Sequence, residues 1–419
     1  MNICYVIEKF PPHPASSGGE FSALKLAVSL AKNGHHVEVL TASYPGCLRQ
    51  EITPEGLVIN RIFSAEYGQG ASGKGVQFIY KQHEGLYRHA EAKINSFLKN
   101  RKFEVIHCHS PNMIRPVISS AKRFRLISSM MVNEQFMTCA ASNKHINNGK
   151  TCEHCTIFKT FFCNRIGASF YKRKVLAVYF YYRMLRYRWA ARSYDLVFCV
   201  SNDVKDRLAS INLINTQVVF NIIDPVLHKG PTEKISIPII KQIKEKYRNL
   251  VLFVAGDLSD SAKGSHLVFQ AAKSLEDFAF LCVGKRPKAH SFQLPNVFFT
   301  GRLKPEEMAD YYRGSDAVVI PSVCPDALPR VGLEALAYSK PIVGLRYGGI
   351  PDIVVDGVNG LLFSKPDALE LAEKLKALFA CPQKLRPMGE NSLRRAKDIF
   401  SPEKAVDKII SSYNRIRKI

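Results

Sequence analysis

Short apolar segments alternate with longer amphipathic segments along most of this chain. The apolar segments predict strands at 3–7, 36–41, 57–63, 104–107, 126–132, 196–200, 217–220, 247–255, 278–283, 297–300, 317–320 and 342–345. Helical periodicity follows several of them, for example at 20–33. Strands that alternate with helices are typical of βαβ units. The pattern predicts an α/β protein with doubly wound parallel sheets, in which ligands meet the carboxyl ends of the strands.

The length of 419 residues is more than one ordinary domain uses, so two domains are expected. A segment rich in proline and charge at 224–236 is the expected boundary. We therefore predict domains at 1–224 and 225–402, followed by a last basic helix at 403–419. With 46% hydrophobic and 10% aromatic residues, the chain can build real cores, which excludes a disordered protein.

The formal net charge is +23, and it is concentrated in the first half of the chain. Residues 1–200 carry 27 Lys and Arg against 12 Asp and Glu, a balance of +15, which leaves +8 for the remainder. The amino-terminal half is thus the half expected to face an anionic partner. An anionic membrane surface, a lipid pyrophosphate, an acidic glycan and nucleic acid all have the required charge.

The chain has no run of eighteen uncharged apolar residues, so we expect no membrane span. The first strand has neither a basic leader nor a small-residue cleavage site, so we expect no signal peptide. Several of the eleven cysteines lie in apolar strands, which is typical of free thiols in a reducing compartment. A cytoplasmic location is expected, with peripheral attachment at the inner face of the plasma membrane as an extension of it.

Two carboxylates in the segment 321–363 have a spacing that predicts a ligand site. On one continuous helix, Asp326 and Glu334 would lie about 12 Å apart and roughly 80° around the axis. Pro329 favours the first helical position, so we predict a helix from Pro329 to about Ser339, with Asp326 on the loop before it. The helix-start amides at 328–331 would then bind a phosphate between two groups that bind hydroxyls. That arrangement suits a nucleotide-sugar.

The Asp-x7-Glu spacing and the downstream segments ALAYSKPIV and GGIPDIV resemble the E-x7-E donor motif of retaining glycosyltransferases of family 4. The resemblance implies the GT-B fold, in which two Rossmann-like domains face a central cleft, with the last helix crossing back to the first domain. It implies that Glu334 binds the nucleotide ribose and that Asp326 binds the sugar hydroxyls. Lys263 and the helix-start amides would hold the leaving diphosphate, so no catalytic metal is required.

The same resemblance assigns further positions to the donor site. They are Gly18 and Gly19 in the first glycine turn, Arg302 and Leu303 beside the nucleotide base, and Ala327, Leu328, Pro329 and Arg330 at the helix start. Three positions at the predicted site depart from the family pattern, besides Asp326 in place of the first Glu of the motif. Asp257 stands where an arginine is expected, and Asn133 with Glu134 stands where a His-Asp pair often occurs. We expect Asn133 to position the reacting sugar rather than to act as a base.

Cys139, Cys152, Cys155 and Cys163 have the spacing C-x12-C-x2-C-x7-C. Four thiolates suit tetrahedral zinc in a closed structural site. The irregular spacing equally suits unrelated free cysteines in an insertion, and both interpretations stay open.

Two other segments have competing interpretations. The segment 170–192 is basic and aromatic with helical spacing, which favours either packing on the first sheet or contact with a membrane surface, and both can hold together. The segment GQGASGKG at 68–75 lacks the Ser or Thr that a phosphate-binding P-loop needs, so we predict a loop there.

The expected function is retaining transfer of a hexose from a nucleoside-diphosphate-sugar to a glycan or a lipid-linked oligosaccharide, in the biosynthesis of a surface polysaccharide such as lipopolysaccharide. A nucleotide-sugar epimerase is disfavoured by the motif spacing. The alternative from another class is a binding protein on the same fold that has lost catalysis and holds a nucleotide-sugar or RNA. Nucleic acid is not the partner that we expect.

Overall fold

The computed structural model describes residues 1–14, 16, 18–64, 76–141, 152, 155–163, 170–223, 237–287 and 294–417. The chain divides into two compact units. Unit 1 is Met1–Ile222 together with Pro402–Ile419, and unit 2 is Ile223–Ser401. The predicted loop at 68–75 and the predicted boundary at 224–236 lie outside the described residues.

Unit 1 contains an eight-stranded sheet in its described part, with the order β3-β4-β2-β1-β5-β6-β7-β8. All neighbouring pairs are parallel except β3 with β4. The strands are β1 (Asn2–Val6), β2 (His36–Ala42), β3 (Gln50–Ile52), β4 (Val58–Phe63), β5 (Val105–Cys108), β6 (Ile127–Val132), β7 (Leu196–Cys199) and β8 (Thr216–Val218).

The helices of unit 1 cover this sheet. They are α1 (Gly18–Lys32), α2 (Val76–Leu98), α3 (Ile114–Phe124), α4 (Ile157–Phe161), α5 (Phe170–Ala191), α6 (Asn202–Ala209) and, from the end of the chain, α14 (Pro402–Arg417). The central strands are buried on both faces, which is why they read as continuous apolar runs rather than as alternating patterns.

Unit 2 contains a six-stranded sheet in its described part, with the order β11-β10-β9-β12-β13-β14 and all pairs parallel. Its strands are β9 (Asn249–Asp257), β10 (Phe278–Lys285), β11 (Val297–Gly301), β12 (Ala317–Ile320), β13 (Ile342–Leu345) and β14 (Gly360–Phe363). Its helices are α7 (Pro238–Lys246), α8 (Ser265–Lys273), α9 (Met308–Gly314), α10 (Arg330–Ala337), α11 (Ile350–Ile353), α12 (Ala368–Phe379) and α13 (Pro382–Ile399).

Strand order reverses once in each sheet, between β1 and β5 in unit 1 and between β9 and β12 in unit 2. In doubly wound sheets the loops diverge at this switch point and leave a crevice at the carboxyl ends of the strands. The predicted doubly wound α/β class is therefore confirmed in both units. A ligand site is therefore expected at the switch point of each unit.

Two helix starts differ from the predictions. Helix α1 begins at Gly18, so Gly18 and Gly19 form its first turn instead of a turn before it. Helix α10 begins at Arg330 and ends at Ala337, with Pro329 as its N-cap at φ −67° and ψ 120°. Strands β3 and β14 are short and were not predicted.

Within the described residues, no helix combines the length and the apolar character that crossing a bilayer requires.

Candidate active site

Lys263 and Asp326 form an ion pair at the switch point of unit 2. Lys263 follows β9, Asp326 follows β12, and the two strands are neighbours. The Lys263 ammonium lies 2.7 and 2.8 Å from the two carboxylate oxygens of Asp326. Burial disfavours the charged amine, but the attraction and hydrogen bonds of Asp326 outweigh this and raise the pKa of Lys263 above its usual value. The site therefore holds one fixed cation and one fixed anion that face each other.

The loops that carry this pair are held together through their backbones. The amides of Val323 and Cys324 both donate to the carbonyl oxygen of Ala262, at 3.0 and 3.3 Å. Gly264 has φ +74°, and a Cβ there would lie 2.0 Å from the carbonyl oxygen of Pro321. Only glycine permits so close an approach, so the position of Lys263 beside Asp326 depends on Gly264.

A second close approach holds the loop at Asp326 from its other side. The amide of Gly349 donates to the carbonyl oxygen of Asp326 at 2.8 Å. A Cβ at Gly349 would lie 2.1 Å from the carbonyl oxygen of Ala327. Backbone contacts from the loops at Gly264 and Gly349 thus hold the loop that carries Asp326 in place.

Glu334 lies on the second turn of α10 and is held by two neighbours. Tyr312 of α9 donates its buried hydroxyl to one carboxylate oxygen at 2.8 Å, and Arg330 donates to the other at 2.7 Å. Burial, with the nearby carboxylate of Glu334 second, raises the pKa of Tyr312 well above its usual value, so its hydroxyl remains a donor. The Glu334 side chain is 17% exposed, which leaves part of the carboxylate accessible to a ligand.

The predicted anion site at the start of α10 needs a correction. Pro329 is the N-cap and has no N–H, and its carbonyl oxygen accepts from Gly332 and Leu333. The amides that helix geometry leaves without an intrahelical acceptor are those of Arg330 and Val331. Of the neighbouring predicted residues, Leu328 is buried, and the Ala327 carbonyl oxygen lies against Gly349.

Asp257, which stands where an arginine was expected, lies at the end of β9. Hydrogen bonds from Ser259, and to a smaller extent from Lys285, lower the pKa of Asp257 to about 2, so it is ionised at neutral pH. Lys285 lies 3.3 Å away at the end of β10, and Arg302 donates to the carbonyl oxygen of Gly256 at 3.2 Å. Leu303 follows Arg302 and is half-buried. Lys285 and Arg302 thus place two cations near the carboxylate of Asp257 at this sheet edge.

In unit 1, Asn133 lies at the end of β6 and is joined to a buried histidine that sequence reasoning did not assign to the site. The Asn133 amide nitrogen lies 2.6 Å from His109 Nε2, and His109 Nδ1 lies 2.5 Å from the Tyr5 hydroxyl. The Asn133 side-chain oxygen is buried without a hydrogen-bond partner among the described residues. A Cβ at Gly19 would lie 4.0 Å from the Asn133 amide nitrogen, so this group adjoins the first turn of α1.

His109 is neutral in this environment, because its burial lowers its pKa to about 3. His107 lies beside it, with the two rings 6.0 Å apart and both against Tyr5. The sequence signal for the pair was the alternation His-Cys-His after an apolar strand. A third group, the half-buried Glu8, follows β1 and receives a hydrogen bond from Asn112 at 2.9 Å. Burial raises the pKa of Glu8 to about 7.

The four cysteines of the predicted zinc site are all described, and none of them is joined in a disulfide among the described residues. In the described ranges the structure places no three His, Cys, Asp or Glu side chains together in a metal-binding group. Two histidines close to these cysteines in sequence, His145 and His154, lie outside the described ranges. Zinc binding by Cys139, Cys152, Cys155 and Cys163 stays a prediction, which metal analysis of the purified protein would check.

Two family models match the chain, one in each half. Residues 17–221 match the glycosyl transferase 4-like domain, and residues 236–395 match glycosyl transferases group 1. The chain belongs to the family-4 type of glycosyltransferases with the GT-B fold. The predicted family-4 type and the predicted GT-B fold are thereby confirmed, while retaining chemistry and the donor motif stay predictions.

Relatives in sequence agree with this family. A glycosyltransferase of Methanocaldococcus jannaschii is 29% identical over 237 residues, which are 55% of this chain and 62% of the relative. Spore coat protein SA of Bacillus subtilis is 28% identical over 191 residues, which are 41% of this chain and 50% of the relative. The matched part of the chain thus spans between half and two thirds of these relatives.

Solved structures share the fold over the whole chain. Sucrose-phosphate synthase of Thermosynechococcus elongatus superposes with a TM-score of 0.74 at 16% identity, covering 100% of both chains. HepE of Anabaena in complex with UDP-glucose superposes with a TM-score of 0.64 at 16% identity, covering 99% of this chain and 100% of HepE.

Proposed function

We propose that this protein is a retaining glycosyltransferase that moves a hexose from a nucleoside-diphosphate-sugar to a glycan or a lipid-linked oligosaccharide. The observation that carries the proposal is the arrangement at the switch point of unit 2. There a lysine, a loop carboxylate and a helix carboxylate lie around the start of α10. The family and the UDP-glucose bound to HepE support a nucleotide-sugar as the ligand.

Each group at this site matches one part of such a donor. Glu334 accepts hydrogen bonds from the ribose hydroxyls, and its carboxylate is held ready by Tyr312 and Arg330. Asp326 accepts from the sugar hydroxyls. Lys263 and the amides of Arg330 and Val331 stabilise the charge that grows on the diphosphate as it leaves.

The reaction breaks the bond between the sugar anomeric carbon and the diphosphate oxygen. The acceptor hydroxyl forms the new bond on the same face of the sugar, and its proton passes to the leaving diphosphate. This reaction depends more on hydrogen-bond donors that position the reacting sugar than on a strong base. Asn133, held by His109, supplies a fixed amide in unit 1 for that purpose. We place the reaction in surface polysaccharide biosynthesis at the cytoplasmic face of the membrane, and the net charge of +15 over residues 1–200 supports an anionic acceptor.

One observation favours the alternative, a nucleotide-sugar-binding protein without turnover. Asp257 is ionised beside the phosphate site where the family pattern has an arginine. Lys285 and Arg302 must then compensate for its charge. Measurement of both binding and turnover separates the two functions.

The test incubates the purified protein with a panel of nucleotide-sugars and a membrane extract, and follows the release of nucleoside diphosphate. Release with one donor, dependent on the extract, is the expected result. Tight donor binding without release from any donor would support the alternative instead.

For the ribose assignment, Glu334→Gln is expected to raise KM for the donor about tenfold or more, because a neutral amide accepts hydrogen bonds more weakly than a carboxylate. Glu390→Gln is a matched control, since Glu390 forms the same i,i+4 pair with Arg386 on α13. An unchanged donor KM in Glu334→Gln contradicts the ribose assignment.

A further inference from the structure

Helix α5 in unit 1 exposes one continuous apolar face. Five apolar side chains along it are between 41% and 71% exposed, namely Val175, Val178, Tyr182, Leu185 and Trp189. Their spacing of three and four residues places them within about 80° of the helix circumference and along roughly 21 Å of its length. We call these five residues the α5 stripe.

The opposite face of α5 is buried, so the helix is already fixed to unit 1. Ala177, Met184 and Tyr187 are buried, and the Tyr187 hydroxyl donates to Asn112 at 2.9 Å. Packing of the helix therefore does not explain the α5 stripe.

A neighbouring helix extends the apolar surface. Helix α4 contacts α5, and Phe158 in α4 and Phe162 directly after it are 74% and 67% exposed. Exposed apolar side chains that occur singly are ordinary, but a contiguous group is typical of an interaction site.

Within the α5 segment the charge has one sign, although Glu84 of α2 lies 3.5 Å from Arg186 at one edge of the stripe. Between Glu153 and Asp195 the sequence contains nine Lys and Arg and no Asp or Glu. Lys174 and Arg192 are exposed along one edge of the stripe, and Arg186 on the other edge donates to the Tyr182 hydroxyl at 2.9 Å. An apolar face with a cationic rim is complementary to a surface that is apolar below and anionic above.

We propose that the α5 stripe binds the surface of an anionic phospholipid bilayer. Valine and leucine side chains enter the acyl boundary, and the tyrosine and tryptophan rings lie at the headgroup level. Lys and Arg extend toward the lipid phosphates. A second copy of the chain fits less well, because it would bring two cationic rims together. RNA fits less well because Val175, Val178 and Leu185, three of the five stripe residues, offer no stacking surface.

This inference names a partner for the proposed transferase, and it rests on the proposed function only for what is transferred at the membrane. Lipid binding is measurable without a sugar donor. Loss of one property therefore leaves the other testable.

Trp189 is the only tryptophan of the chain, and it lies on the stripe. Its fluorescence is measured during titration with vesicles of phosphatidylcholine alone, and with vesicles that contain phosphatidylglycerol as about a third of the lipid. We expect a blue shift, and quenching by brominated acyl chains, with affinity for the anionic vesicles on the order of tenfold higher. Added salt should weaken the binding.

The double variant Val178→Ser/Leu185→Ser keeps the reporter and removes apolar contact. It is expected to weaken vesicle binding at least about tenfold, since each side chain loses its transfer into the acyl boundary. Ile214→Ser is the matched control, because Ile214 is 86% exposed and lies outside α4 and α5. Unchanged circular dichroism of each variant excludes loss of the fold.

Three results would overturn the proposal. They are equal affinity for neutral and anionic vesicles, unchanged binding by the double variant, and a blue shift that rises with protein concentration or with added RNA in the absence of lipid. The last would identify a second copy or RNA as the occupant.

Discussion

Lys263 and Asp326 are 63 positions apart in the chain, and their side chains are in direct contact. Each is held by backbone contacts that involve neighbouring residues, so the pair is fixed before a ligand arrives. Such preorganised charge is the form in which a protein stabilises a developing anion at small reorganisation cost. In unit 1 the predicted positioning residue is the uncharged Asn133. It is joined to His109, a histidine that burial keeps neutral.

Lys263→Met is expected to lower kcat for diphosphate release by about 100-fold, because under the proposed function this fixed cation stabilises the leaving diphosphate. Steady-state kinetics with the donor that the nucleotide-sugar panel identifies measures the change. Lys244→Met is the control, since Lys244 forms an ion pair with Asp316 at 3.2 Å elsewhere in unit 2. A loss of similar size in both variants would point to a general effect of removing a lysine.

His109 should make stability depend on pH. Its pKa is about 3 in the folded chain and near 6.5 when exposed, so the unfolded chain binds the extra proton first as pH falls. The contribution of neutral His109 to the free energy of unfolding is complete above pH 6.5. It is lost as the pH falls toward 3, at about 1.4 kcal/mol per pH unit.

Denaturant unfolding of the wild type and of His109→Gln between pH 6.5 and 4.5 checks this expectation. The difference in unfolding free energy between the two proteins should shrink by about 1.4 kcal/mol per pH unit on acidification. Taking the difference removes the opposite contribution of Glu8, whose raised pKa adds stability as pH falls. A difference that is independent of pH contradicts the assignment of a buried neutral histidine.

At the scale of elements, the site depends on how three loops of unit 2 meet. Sequence periodicity placed the strands β12 and β13 with their observed bounds, because short apolar runs between turn residues are a strong local signal. It misplaced the start of α10 by one residue, since Pro329 suits both the N-cap and the first helical position. The close backbone approaches at Gly264 and Gly349 are contacts between distant segments, and local pattern does not record them.

Gly264→Ala should lower the free energy of unfolding by roughly 3 kcal/mol or more, from the positive φ and from the clash with the Pro321 carbonyl. Gly357→Ala separates these two causes. Gly357 has a similar φ of +76° with nothing within 4 Å, so only the cost of the backbone conformation, about 1 kcal/mol, is expected. Equal losses in chemical denaturation would show that the close approach is unimportant.

At the scale of the whole molecule, unit 1 is built from both ends of the chain. Helix α14 follows all of unit 2 in sequence and lies in unit 1. Its buried Tyr413 hydroxyl lies 2.8 Å from the Ser129 hydroxyl and 3.2 Å from His107 Nδ1. The Ser412 hydroxyl also donates to Gln217 at 2.6 Å. The fold of unit 1 is therefore complete only when the last helix has been made.

Tyr413→Phe should lower the unfolding free energy by about 1–2 kcal/mol, because Ser129 and His107 lose a buried hydrogen-bond partner. Chemical denaturation followed by circular dichroism measures the loss. Tyr311→Phe, at a partly exposed tyrosine of α9, is the control and should change stability by less than about 0.5 kcal/mol. If Tyr413→Phe were as stable as the wild type, these hydrogen bonds would not contribute to holding α14 in unit 1.

The sequence by itself determined the α/β class, the strands of both sheets other than β3 and β14, and the carboxylate spacing that we interpret as a donor motif. These depend on periodicity and spacing within short segments, which survive in the linear pattern. Only the tertiary structure decided that Lys263 pairs with Asp326, that His109 holds Asn133 and that α5 leaves an apolar face exposed. The physical reason is that strand order brings loops of distant sequence to one sheet edge, and that packing chooses which face of a helix is buried.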